Sequence, residues 1–186
     1  MRTFLAADIE PGINKKVNEV IDRLSRIDGG VKWVRPENHH ITVYFFGEID
    51  EATRASIEGI AAGVLEGVSP FPVRVEGISA FPHVNRPRVI WIGVENFGGE
   101  LRSITEKLKR EFVTRRLSVP IEDRDYTPHL TIGRVKERCS PSLSDEMAAV
   151  RMLSFGQFEI RSFILYESVL RREGPLYTPL RDFALA

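Results

Sequence analysis

Two short apolar segments of the chain contain the same pattern, a histidine followed two residues later by a threonine. One copy is HITV at residues 40–43 and the other is HLTI at residues 129–132. Side chains alternate between the two faces of a β-strand, so the histidine and threonine of each copy share one face and the apolar residues share the other. Each copy therefore predicts a strand that presents an imidazole beside a hydroxyl.

Two such pairs, brought together, suit acid–base chemistry on a phosphodiester. One of His40 and His129 would take a proton from the nucleophile, and the other would give one to the leaving oxygen. An ordinary imidazole pKa of about 6.5 makes both protonation states accessible at neutral pH. The hydroxyls of Thr42 and Thr131 would donate hydrogen bonds to the non-bridging oxygens, where negative charge builds up.

Other uses of histidine fit the sequence less well. His39 and His40 are adjacent, so in a strand they face opposite sides and cannot chelate one ion together. No His-x-His, His-Glu-x-x-His or Cys–His cluster occurs, and no G-x-S-x-G nucleophile motif. We therefore expect no metal and no cofactor. We interpret His39 as a surface or edge residue and His83 as a loop residue.

The bulk composition is that of an ordinary globular protein. The 186 residues are 42% hydrophobic and 28% charged, and no apolar run approaches the length of a membrane span. The first residues reach Asp8 and Glu10 without forming the apolar core of a signal peptide. The single cysteine, Cys139, is compatible with a reducing compartment. We expect a cytoplasmic protein without a membrane partner.

The charge balance limits the class of anionic substrate. Lys and Arg number 26, and so do Asp and Glu, so the chain has no net field to attract long nucleic acids. A small or terminal phosphate group, held by a local positive patch, fits better. The candidates for that patch are Arg86, Arg88, Lys136 and Arg138.

The elements around the two motifs are predicted to repeat. Strand, helix, motif strand and helix are expected over residues 2–65 and again over 89–152. The first helix follows Pro11 and ends at Gly29-Gly30, and its counterpart begins at Gly98-Gly99. Two copies of one unit would pack about a pseudo-two-fold axis, with the motif strands face to face across a groove. This predicts one two-lobed domain over residues 1–186.

Further boundaries and core positions follow from local patterns. Asp50 and Ser142 are the predicted N-caps of the second and fourth helices. Closing strands are expected over residues 158–170 and 176–183, and the two tryptophans are expected in the core. These are Trp33 and Trp91.

The segments that contain the paired motifs resemble a known family. The chain resembles the two-histidine (2H) phosphoesterase superfamily, and closely the bacterial and archaeal RNA 2′,3′-cyclic phosphodiesterases, also called 2′-5′ RNA ligases. The similarity runs from end to end, through RTFLAADI, WVRPENHHITVYFFGEI, FPHVNRPRVIWIGV, YTPHLTIGRV and SVLRREGPLYTPLRDF. It implies a bilobal α+β fold, in which two antiparallel sheets face a central cleft and the helices lie outside.

The resemblance assigns the catalytic groups by position. It implies that His40 and Thr42 form the first catalytic pair and that His129 and Thr131 form the second. His40 would protonate the departing 3′ oxygen while His129 activates water, so the product would carry a 2′-phosphate.

The resemblance also implies residues that bind the terminal base. Phe45 and Arg134 each lie five residues after a motif histidine and would sandwich the base. Strand alternation argues against this role, because an odd offset points away from the histidine unless the strand bends. Tyr126, just before the second motif, is expected to line the same cleft.

The implied substrates are RNA ends that bear a 2′,3′-cyclic phosphate, with tRNA halves among the candidates. A monomer without an obligate protein partner is expected. One alternative activity is 2′-5′ ligation of such ends to a 5′-hydroxyl without ATP, using the same groups. Another alternative is a non-catalytic module that captures these RNA ends. The two complete His–Thr pairs argue against that module, because binding alone needs no matched acid and base.

Overall fold

The computed structural model of the chain describes residues 1–27, 30–122, 124–136, 140–172 and 174–186. Gly29, Arg138 and Cys139, which entered the predictions above, lie outside the described residues. Within the described ranges, every helix is too short or too polar to cross a bilayer. In chain order the elements are β1 (Arg2–Asp8), α1 (Pro11–Ser25), β2 (Val31–Trp33), a 3₁₀ turn (Pro36–Asn38), β3 (His40–Glu48), α2 (Glu51–Leu65), β4 (Phe71–His83), β5 (Arg86–Glu95), α3 (Glu100–Thr114), β6 (His129–Val135), α4 (Pro141–Ala149), β7 (Ser154–Ile160), β8 (Ser162–Arg171) and β9 (Gly174–Ala184).

Local capping interactions set where the helices begin. The carboxylate of Asp50 accepts a hydrogen bond from the Thr53 amide at 2.7 Å, which confirms it as the N-cap of α2. The prediction for α4 is wrong by two residues, since the cap is Ser140 rather than Ser142. Pro141 fixes this start, because a proline at the first helical position removes an amide that would have no partner in the helix.

The described strands form one antiparallel sheet. Their order is β7-β4-β5-β6-β3-β1-β8-β9, and β2 pairs with β6 outside this path. The α+β class is confirmed. The motif strands β3 and β6 are neighbours at the centre, joined by the registered pair Ile41 and Leu130. They lie side by side rather than face to face, so the two predicted sheets are the two halves of one continuous sheet.

The strand order is symmetric about this central pair. Moving outward, one half runs β3-β1-β8-β9 and the other runs β6-β5-β4-β7, so each motif strand is flanked by the strand that begins its predicted repeat. The helices cover the core face in two pairs, α1 with α4 and α2 with α3. This symmetry supports the predicted repeat over residues 2–65 and 89–152, which stays a prediction.

Two expected boundaries differ from the structure. The strand expected over residues 158–170 is two strands, because the chain leaves the β7 edge at Arg161 and crosses to pair with β1 in the other half. His83 is the last residue of β4 rather than a loop residue. The sheet accommodates Pro82 and Pro87 because they lie opposite each other, next to a shift of register.

We predict that Gly93→Ala destabilises the protein by roughly 1–3 kcal/mol, because the site cannot hold a methyl group without backbone movement. A Cβ on Gly93 of β5 would lie 2.7 Å from the Glu76 carbonyl oxygen of β4. Urea unfolding would measure the change. Gly63→Ala is the matched control. Gly63 lies in α2 with open space around it, so the same substitution there should stabilise by roughly 0.5–1 kcal/mol. Equal effects at the two sites would contradict the steric argument.

Candidate active site

A bulge in β3 brings Phe45 to the face that carries the first motif. His40 and Thr42 are half-buried on this face, and their neighbours Ile41 and Val43 are buried in the core. The register against β1 then shifts so that Val43 has no opposite partner. One extra residue reverses the alternation of the strand. Phe45, at an odd offset from His40, is therefore exposed on the histidine side.

The second motif strand has the same irregularity at the same place. The register of β6 against β5 shifts between Thr131 and Gly133, which leaves Ile132 unpaired, and Arg134 emerges exposed. Each bulge thus falls three residues after its motif histidine. Strand alternation therefore does not argue against the expected role of Phe45 and Arg134, because each strand has a bulge between its motif histidine and that residue.

Both motif histidines are oriented by the carbonyl two residues before them. His40 Nδ1 lies 2.8 Å from the Asn38 carbonyl oxygen, and His129 Nδ1 lies 2.7 Å from that of Thr127. A carbonyl oxygen only accepts, so Nδ1 carries the proton in each ring. The neutral ring then has its lone pair on Nε2. This is the atom through which either histidine can accept or return a proton.

The two imidazoles have different surroundings. His40 packs against the rings of Phe4 and Tyr177, with centroids 4.8 and 5.2 Å away. Its burial lowers its pKa below the ordinary value, and the positive charges of His129 and Arg134 lower it further. The Asn38 carbonyl and Asp8 act in the opposite direction. The neutral form of His40 is therefore favoured before any anion binds.

The pairing of β3 with β6 sets the geometry of the four motif side chains. Since Ile41 lies opposite Leu130 in an antiparallel pair, His40 lies beside Thr131, and Thr42 lies beside His129. Residues diagonally across such a pair, as His40 is from His129 and Thr42 from Thr131, are about 7–8 Å apart on a regular ladder, and their Cβ atoms are somewhat closer. The two histidines occupy one diagonal of this quartet and the two threonines the other. A phosphate-sized group above the quartet can reach all four side chains.

A groove of about 500 Å³ opens on this face. Three of the four motif residues line it, namely His40, Thr42 and Thr131, whereas His129 is not among its lining residues. Its remaining lining includes both predicted base-binding residues and a group of further cations. These side chains are Phe45, Arg134, Arg2, Lys32 and Arg35.

The groove contains a local positive patch, as predicted, but from different residues. Its lining residues include four cationic side chains and no carboxylate. Of the predicted members, Arg86, Arg88 and Lys136 do not line the groove. Arg2 was missed although it starts the first strand, and its guanidinium lies 4.9 Å from the centre of the Phe45 ring. Only the pairing of distant strands brings these cations together.

Tyr126 contacts the motif strand through its backbone. Its hydroxyl donates a 2.9 Å hydrogen bond to the Thr42 carbonyl, and burial raises its pKa, so it stays a neutral donor. Within the described residues it does not line the groove. This contact positions β3, and a substrate contact of Tyr126 stays a prediction.

Three aromatic or histidine side chains differ from expectation. Trp33 is half-buried and lines the groove, and Trp91 is half-buried with its ring centroid 5.9 Å from that of His129, so neither lies in the fully buried core. His39 is buried rather than at the surface, and its Nδ1 lies 2.8 Å from Asn14 Oδ1.

The sequence reasoning missed Asn38, which is adjacent to His39. Its side-chain amide donates a 3.0 Å hydrogen bond to the Pro175 carbonyl and so connects β9 to the first motif.

The described residues contain no group of three or more His, Cys, Asp or Glu side chains that could hold a metal ion. The groups that this face presents are paired imidazoles, hydroxyl donors and guanidinium or ammonium groups.

Comparison with known proteins gives consistent results. The family model described as LigT like Phosphoesterase matches residues 8–91 and again residues 92–177. An Archaeoglobus fulgidus protein named RNA 2′,3′-cyclic phosphodiesterase is 41% identical over 186 residues, covering 98% of this chain and 99% of that protein. One of the same name from Methanothermobacter thermautotrophicus is 35% identical over 100% of this chain and 99% of that protein.

Solved structures share the fold. The crystal structure of TT0787 of Thermus thermophilus has a TM-score of 0.85 and 27% identity, covering 100% of this chain and 98% of that one. The E. coli LigT structure complexed with 3′-AMP has a TM-score of 0.77 and 22% identity, covering 99% and 97% of the two chains.

We predict that acid weakens the fold through His39, whose burial lowers its pKa to about 4. Above about pH 6.5 the residue is neutral in both states. As the pH falls toward 4, the unfolded chain takes up a proton that the folded chain excludes, so the free energy of unfolding drops by about 3 kcal/mol. His39→Asn keeps an amide donor for Asn14 but does not titrate. Its unfolding free energy, from urea curves between pH 4 and 7, should fall less steeply than that of the unmodified protein. Parallel slopes would contradict this origin.

Proposed function

Since the chain belongs to the LigT-like phosphoesterase family, we propose that it hydrolyses the 2′,3′-cyclic phosphate at RNA ends. The observation that carries this proposal is the diagonal arrangement of two histidines and two threonines, in which both histidines have the Nε2 lone pair free. The groove beside them is lined by cationic side chains and by no carboxylate. The names of the Archaeoglobus and Methanothermobacter relatives support the same activity.

In the proposed reaction the two histidines act on opposite sides of phosphorus. His129 Nε2 takes a proton from water as the water oxygen bonds to phosphorus. The bond from phosphorus to O3′ breaks, and protonated His40 gives its proton to O3′. The product then has a 2′-phosphate and a 3′-hydroxyl. This direction of opening rests on the family resemblance.

The role of His40 as the acid requires its pKa to rise when substrate binds. Burial favours the neutral ring in the free protein. The negative charge of a cyclic phosphate beside the ring favours the protonated form, and Asp8 acts in the same direction. Binding of the substrate would thus favour protonated His40, which then gives its proton to the leaving O3′.

The remaining groups would hold the charge and the base. Thr42 and Thr131 would donate to the non-bridging oxygens, and Lys32 and Arg134 would balance the charge in the groove. The terminal base would stack on Phe45, opposite the Arg134 guanidinium. The 38% exposure of Phe45 supports this role, since the ring is accessible in the groove.

The setting of the reaction is also part of the proposal. RNA ends with a cyclic phosphate, including tRNA halves, are the proposed substrates, in the cytoplasm and without a membrane or an obligate protein partner. A monomer is the proposed active form.

We predict that the protein hydrolyses adenosine 2′,3′-cyclic phosphate in EDTA, and that His40→Ala and His129→Ala each lower kcat about 10²–10⁴-fold, because each removes an acid or a base. Product formation by chromatography measures the rates. His83→Ala, at the exposed end of β4, is the matched control and should keep full activity. Activity lost in EDTA and regained with a divalent metal would refute the metal-independent mechanism. Tight binding without product would favour the capture module.

A second prediction concerns the base. Phe45→Ala should raise KM for adenosine 2′,3′-cyclic phosphate by about 5- to 100-fold, because a stacked base contributes ~1–3 kcal/mol. Phe45→Tyr preserves the ring and should restore the KM. Steady-state kinetics separates this effect from kcat. An unchanged KM in the alanine variant would remove Phe45 from the binding site.

A further inference from the structure

An exposed aromatic platform lies on the far side of His129 from the groove. Phe81 of β4 is stacked on Trp91 of β5, with centroids 4.9 Å apart and planes 26° apart. The edge of this stack meets His129, whose centroid is 5.3 Å from that of Phe81 and 5.9 Å from that of Trp91. Phe81 is 36% exposed. The groove described above includes none of these three rings.

The register of the sheet fixes where the platform lies. Phe81 pairs with Val89, and Val89 pairs with Arg134, so the platform and the proposed base-binding arginine share one row across three strands. Neighbouring strands are about 5 Å apart, which places Phe81 about 10 Å from the strand of Arg134. The platform also contacts His129 directly through both of its rings. A group on the platform would therefore reach the phosphorus from the His129 side.

The two halves of the sheet differ at this point. The aromatic side chains around His40 are covered, since Phe4 is only 4% exposed and Tyr177 of β9 packs across it. The corresponding rings beside His129 have no such cover among the described residues. The open half is where a second large group can approach the reacting phosphate.

The chemistry of the platform favours a nucleoside as its occupant. A flat, accessible phenylalanine backed by tryptophan suits a base, because every base can stack on it. Residues 79–91 contain no acidic side chain. Arg86 is exposed and, because the register shifts next to Pro82, it lies on the same face as Phe81. It is placed to meet the phosphate that follows such a nucleoside.

We infer that Phe81 and Trp91 form a binding site for a second nucleoside, the one whose 5′ oxygen is joined to or released from the reacting phosphorus. This inference rests on the proposed function. An RNA 5′-hydroxyl would take the place of water. His129 would remove its proton, its oxygen would bond to phosphorus, and the bond to O3′ would break with proton transfer from His40. The product is a 2′-5′ phosphodiester with a free 3′-hydroxyl. The reverse reaction cleaves that linkage.

The test compares two substrates that differ by this nucleoside. Adenosine 2′,3′-cyclic phosphate lacks it, and 2′-5′-linked diadenosine monophosphate contains it and is cleaved to the cyclic phosphate and adenosine. We expect Phe81→Ala to lower kcat/KM for the dinucleotide at least about tenfold more than for the cyclic phosphate. Phe81→Trp should restore the ratio. Phe97→Ala is the matched control, because Phe97 is also exposed and has an arginine over its ring, and both activities should stay unchanged.

The outcomes separate this inference from the proposed function. Equal losses on both substrates would assign Phe81 to the orientation of His129 alone and overturn the nucleoside site. No loss on either substrate would overturn it as well. If the unmodified protein hydrolyses the cyclic phosphate but leaves the dinucleotide intact, the second site is wrong and the proposed function stands. If it turns over neither substrate, both fail.

Discussion

The site depends on the pairing of β3 with β6 through Ile41 and Leu130. These two residues are fully buried, so the contact that joins the halves of the sheet is made in the core. Because side chains alternate along each strand, fixing this pair fixes which face carries the motif side chains and which threonine lies beside which histidine. A slip of one residue in either strand would turn that strand's imidazole into the core, where a charged ring is strongly disfavoured. The apolar contact thus specifies the polar quartet.

The bulges after the two motifs connect this pairing to the proposed base-binding residues. A regular strand could present His40 and Thr42 but would turn Phe45 into the core. The extra residue at Val43 keeps the apolar side chains Val43 and Tyr44 buried in succession and returns Phe45 to the groove. The equivalent bulge on β6 does the same for Arg134. The proposed catalytic and base-binding side chains can therefore lie on the same face of one strand, because the bulge between them reverses the alternation.

Much of this architecture could be predicted from sequence, because it follows from local patterns. The strand at 129–135 and the Asp50 cap need only periodicity and capping chemistry. The side-by-side placement of the motif strands, the split at Arg161 and the cationic lining of the groove could not, since each depends on which distant strands pair. His39 was misplaced for a related reason. Its polarity suggests the surface, but half-buried Asn14 on α1 provides a hydrogen-bond partner that alternation cannot reveal.

The two halves of the sheet are nearly symmetric, but they surround His40 and His129 differently. Both histidines bind a carbonyl two residues back through Nδ1, so their own strands give them the same tautomer and orientation. Their difference comes from the outer strands. β9 covers His40, with Tyr177 against its ring and Asn38 holding Pro175, whereas the β4–β5 hairpin leaves the rings beside His129 open. Burial lowers the pKa of His40 below its ordinary value. Two equivalent motifs thus hold their imidazoles in different surroundings, because the strands outside the motifs, rather than the motifs themselves, decide how much water each histidine meets.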